Sequence, residues 1–107
     1  MDEKKYVQKL LEVSKKYDID KIRNINYGKD YVLFEGSPKR HPTNENVLIL
    51  IANPFEDNKK YYEFHLDTIS AIEEIGTIIS DDNKSSYQIR IWIKKGTMVV
   101  KSETFIV

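Results

Sequence analysis

Residues 87–94, Tyr-Gln-Ile-Arg-Ile-Trp-Ile-Lys, constrain the fold more than any other part of the chain. Tyr87, Ile89, Ile91 and Ile93 fall on one side, and Gln88, Arg90, Trp92 and Lys94 on the other. This period of two marks a strand with one buried face, and a slip of one residue would expose every isoleucine. Lys95-Gly96 follows, and glycine is free to take the positive φ that a tight hairpin needs. Residues 97–107 are therefore expected to return as a second arm. That places the C-terminal strand in a sheet, at an edge where it can pair with its counterpart in a homodimer.

The rest of the chain supplies one helix and further strands. Tyr6, Val7, Leu10, Leu11, Val13 and Tyr17 recur at three- and four-residue spacing among lysines and glutamates, which predicts an amphipathic helix over about residues 2–17. Asp2 and Glu3 complement its positive end. Residues 31–35 read as a short strand ending at Gly36. Residues 37–46 hold two prolines and several turn formers and read as a long, restrained loop. Residues 47–52 are an unbroken apolar strand, stopped by Asn53-Pro54, with a polar loop after it. In the next strand, residues 61–66, Tyr62, Phe64 and Leu66 face inward and Tyr61, Glu63 and His65 outward. Residues 67–76 admit two readings, a helical turn capped by Asp67 or a bent strand, because Ile69, Ile72 and Ile75 recur every third residue. Residues 77–80 look extended and 81–86 form a turn.

Strands joined this closely pair antiparallel, and a small sheet removes its edges by curling. The expected fold is α+β: the N-terminal helix packed on a small, strongly bent or partly closed antiparallel β-barrel of about five to six strands. Residues 1–107 fit one domain, with the strand-rich part over about 27–107.

Composition narrows the chemistry. There is no cysteine, so disulfides, thiolate metal sites and thiol redox chemistry are excluded, in keeping with a cytoplasmic setting. No apolar run reaches the length of a membrane span, and no membrane association is expected. The 17 basic residues balance 17 acidic ones without a basic block, which argues against nucleic-acid binding led by phosphate contacts. Four scattered glycines offer no phosphate-cradling loop. The chain also lacks H-E-x-x-H, a serine elbow, and the glycine-aromatic signature of cold-shock and RNA-recognition domains. Asp81-Asp82-Asn83 lacks the glycine and closing glutamate of a calcium loop. No cofactor and no metal site is expected.

Two sets of residues remain as candidates for binding. Lys39, Arg40 and His41, between Pro38 and Pro42, form a compact basic cluster suited to an anion. Tyr61, His65, Arg90 and Trp92 lie on the outward sides of two strands. They are suited either to stacking unpaired bases or to covering the sheet where the helix docks, and the second is favoured for Trp92. His41, Glu63 and His65 would serve a ligand or a reaction only if they shared a pocket. The leading expectation is a non-catalytic binding or adaptor domain acting on a protein partner through a barrel face or an edge strand. An RNA- or single-stranded-DNA-binding barrel and an anion-binding domain or enzyme using the 37–46 loop are the alternatives.

Overall fold

A computed structural model describes residues 2–13, 30–100 and 104–106. Helix α1 spans Asp2–Val13; the expected continuation to residue 17 lies outside the described residues. The strands are β1 (Tyr31–Arg40), β2 (Val47–Ile51), β3 (Tyr61–His65), β4 (Ile69–Ile79), β5 (Ser85–Lys94), β6 (Met98–Val100) and β7 (Thr104–Ile106). They form one antiparallel sheet in the order β4-β5-β1-β2-β3-β6, extended at one edge by the three-residue β7.

The α+β class and the antiparallel pairing are as expected, but the barrel is not closed. β4 and β7 stand at opposite ends of the sheet, and no described residue pairs them. The sheet is nonetheless strongly bent. Leu48, Leu50 and Phe64 from β2 and β3 share one core with Ile69, Ile72, Ile89, Ile91 and Ile93 from β4 and β5. Phe34 meets Phe64 edge to face, ring centroids 5.1 Å apart, a favoured aromatic geometry, and lies tilted against Tyr62 at 5.4 Å.

The bend is made in β1. Its first half, Tyr31 to Gly36, pairs with β5, and its second half, Ser37 to Arg40, pairs with β2. Gly36 marks the change of partner, and a side chain there would sit 2.4 Å from the Ile51 carbonyl oxygen. The strand therefore does not stop at Gly36, and residues 37–40 belong to β1 and not to a ten-residue loop. Pro38 is tolerated because this half of β1 has one paired neighbour, so a missing N–H can face the free side.

The turn after β5 also differs from expectation. Thr97 N–H donates to the Lys94 carbonyl and Gly96 takes φ 90°, as a tight turn requires. Yet β6 does not return along β5. Both edges of β5 are already taken, by β1 and β4, so β6 crosses to β3, where Val100 lies opposite Glu63.

Residues 66–79 resolve as a single 3₁₀ turn, Leu66–Thr68, followed by the bent strand β4. Register shifts between Ile69 and Ala71 and between Glu74 and Gly76 insert extra residues. Ile69 and Ile72 thus lie opposite Ile93 and Ile91 although three residues separate them. Bulges, not a helix, produce the three-residue spacing.

Helix α1 buries Val7 completely and packs Tyr6, Leu10 and Leu11 on the isoleucine side of β5. Trp92 is on the other side, 7 % exposed, against Ala71 and Tyr31. The expectation that Trp92 lies under the helix is corrected: Val7 of the helix joins the core of Ile89, Ile91 and Ile93, while Trp92, alternating with them along β5, faces the other side of the sheet. Among the described residues, no helix is long and apolar enough to cross a membrane.

Candidate functional site

The expected basic cluster sits where β1 ends. Lys39 and Arg40 are its last exposed residues. The Arg40 guanidinium lies over the Tyr6 ring of α1, 5.0 Å from its centroid. Such stacking restrains an arginine while leaving its N–H edge open to an acceptor.

His41 is occupied structurally. Its Nδ1 accepts backbone N–H bonds from Thr43 at 3.1 Å and Asn44 at 2.9 Å. That leaves Nε2 as the protonated nitrogen, which donates to Glu63 Oε1 at 3.1 Å. One ring thereby folds the β1–β2 connection and ties it to β3. His41 and Glu63 do meet, as the pocket hypothesis required. Among the described residues, however, no three His, Asp or Glu side chains gather as a metal site would need.

The second candidate set divides. Tyr61 and His65 are exposed on β3, with Tyr61 48 % accessible. Four residues of strand hold them roughly 13 Å apart. Arg90 is held on the sheet: Nε donates to Glu35 Oε1 at 2.8 Å and Nη1 to Glu73 Oε1 at 3.0 Å. Glu35 and Glu73 are its register partners on β1 and β4. These two carboxylates hold the guanidinium above even its ordinary basicity. Trp92, two residues further along β5, is buried. The outward faces of β3 and β5 therefore do not combine into one stacking platform.

The free edge of β4 is a feature that periodicity did not single out. β4 pairs with β5 from Ile69 to Ile79, and no described strand pairs its other side. Ile78 and Ile79 are 40 % and 68 % exposed there. β1 leaves β5 at Ile89, so beyond that point β4 and β5 continue as a two-stranded ribbon; Ser86 and Tyr87 of β5 stay buried while Ile78 and Ile79 of β4 are exposed. The ribbon's turn is well tied. Ser80 N–H donates to the Lys84 carbonyl at 2.8 Å and Asn83 N–H to the Ser80 carbonyl at 3.0 Å. The Ser80 hydroxyl donates to the Asp82 carboxylate, which this bond holds below the usual carboxylate range. Asn83 takes the left-handed conformation, φ 64°, which asparagine tolerates. Below the turn, the Tyr87 hydroxyl donates to Glu74 at 2.6 Å. The Ile78-Ile79 dipeptide held the clue: adjacent strand residues face opposite ways, so one of two isoleucines must point away from the core.

No protein-family model matches the chain, nor does any curated protein or solved structure.

Proposed function

We propose that this chain is a non-catalytic binding domain that takes an extended segment of a protein partner as an added strand along β4. The observation that carries the reading is the open β4 edge, with Ile78 and Ile79 exposed on a ribbon held by its own turn. A paired strand satisfies the edge N–H and C=O groups, and alternate side chains of the partner cover the isoleucines. The tied turn lowers the ordering cost of binding. In this view the bent sheet and α1 form a partly closed barrel whose open seam runs between the β4 and β7 edges.

Panning a displayed library of short random peptides on the protein tests the reading. Peptides with alternating β-branched or aromatic residues should be enriched, and Ile79→Lys should abolish their binding while leaving the thermal transition in place. Peptides that bind Ile79→Lys as well as the parent would refute it. A homodimer paired along β7 is the competing use of an edge. Light scattering across a concentration series separates the two, because Ile79→Lys would leave a β7 dimer intact.

The nucleic-acid alternative retains Lys39, Arg40 and Tyr61 on the surface. It is weakened by the pairing of Arg90 and the burial of Trp92, which remove a cation and an aromatic ring from it.

A further inference from the structure

Two elements far apart in sequence bring four cations to one cleft. Lys5 and Lys9 stand four residues apart on α1, one helical turn, so their side chains lie on the same face. Lys39 and Arg40 close the opposite wall from the end of β1. The cleft has a volume of ≈ 430 Å³ and is completed by Tyr6 and Glu3. Among the described residues, none of the four cations makes an ion pair. In a chain of formal net charge zero, this local excess of positive charge is a departure from the average surface. It contrasts with Arg90, which two carboxylates neutralise.

The cleft is also shaped. The Tyr6 ring lies beneath the Arg40 guanidinium and restrains it. The Tyr6 hydroxyl is buried and has no hydrogen-bond partner among the described residues. The volume falls within the range of small-molecule sites. A planar arginine fork flanked by lysines suits phosphoryl oxygens in particular, since the fork binds bidentately and each ammonium adds a point charge.

We propose that the cleft between α1 and the end of β1 binds a compact phosphate-bearing anion of at least two phosphoryl charges. Lys39 and Arg40 grip it from the sheet, and Lys5 and Lys9 grip it from the helix. The site lies apart from the β4 edge and stands or falls without it. It keeps Lys39 and Arg40 of the expected anion cluster, leaves out His41, which is engaged with Glu63, and adds Lys5 and Lys9 from the helix.

Calorimetric titration of the full chain with inorganic pyrophosphate, orthophosphate and an oligothymidylate is the test. Pyrophosphate should bind at one site, about tenfold or more tighter than orthophosphate. Arg40→Gln and Lys5→Gln should each weaken it by about tenfold, as loss of a charge-assisted bond does. Arg40→Lys should fail to restore the affinity, whereas Lys59→Gln, a charge removed elsewhere on the surface, should leave it unchanged. All of these positions are exposed, so the variants remain folded. Equal weakening by Arg40→Gln and Lys59→Gln would overturn the proposal. So would the absence of pyrophosphate binding, or an oligothymidylate affinity that exceeds that for pyrophosphate and depends on the same residues.

Discussion

Replacing Gly36 with alanine probes the bend on which the fold turns. Gly36 is where β1 leaves β5 and joins β2. A Cβ there would lie 2.4 Å from the Ile51 carbonyl oxygen, 2.9 Å from its carbonyl carbon and 3.1 Å from Leu50 Cγ. The first two are backbone atoms of the paired strand, so relief requires the strands to part at Ser37 and Ile51 and not a change of rotamer. Gly36 does not have a positive φ, so the cost is steric. Overpacking against a rigid neighbour costs about 3 kcal/mol, the upper part of the usual range. For a domain of this size that corresponds to a fall in Tm of about 12 °C or more. Gly96→Ala is the comparator. Its φ is 90° and nothing lies within 4 Å of the added methyl, so only conformational strain remains, about 1 kcal/mol. Urea unfolding followed by circular dichroism and by the single tryptophan, Trp92, measures both. A loss for Gly36→Ala smaller than that for Gly96→Ala would refute the close approach of β1 and β2.

Burial, reinforced by the bond to Glu74, holds the Tyr87 hydroxyl well above the ordinary tyrosine value. The folded state therefore resists its ionisation, and this contribution is complete below about pH 10 and lost as pH rises further. Stability measured by urea should fall above about pH 10 with a slope approaching 1.4 kcal/mol per unit for this group, and Tyr87→Phe should flatten that fall. A decline equally steep in the variant would contradict the assignment. His41→Ala removes the acceptor of two backbone N–H groups and the donor to Glu63. It should destabilise the protein by about 1–2 kcal/mol and speed amide exchange at Thr43 and Asn44. His41→Asn, able to accept through its side-chain oxygen, should recover part of the loss.

The parts of the fold that were legible are those set by local periodicity. Ile89, Ile91 and Ile93 are fully buried, as their alternation required, and Val47 to Ile51 forms a strand interior to the sheet. What escaped depends on contacts remote in sequence. Gly36 and Pro38 read as breakers because both are disfavoured in strands, yet close approach of β2 needs the first and a one-sided pairing admits the second. The partner of β6 could not be read from the turn at Gly96, since it depends on β1 and β4 having filled both edges of β5. The bulges in β4 disguised a strand as a three-residue repeat. Among the candidate binding residues, alternation correctly placed Arg90 and Trp92 away from the isoleucines. It could not reveal that Glu35, 55 residues away, pairs with Arg90, or that Ala71 and Tyr31 pack against Trp92. The Lys39-Arg40 cluster was visible as composition. Its neighbours Lys5 and Lys9 were visible only as the polar side of a helix, and their convergence requires the helix to be docked.

Amide hydrogen–deuterium exchange on the protein, alone and saturated with a peptide selected from the displayed library, tests the strand-addition account most directly. The account predicts that exchange slows along residues 70–79 of β4 on binding, with residues 89–93 of β5, paired on both sides, already protected in both states, and that Ile79→Lys removes the change. Protection that appears at β7 or along β3 while β4 exchanges as before would contradict it.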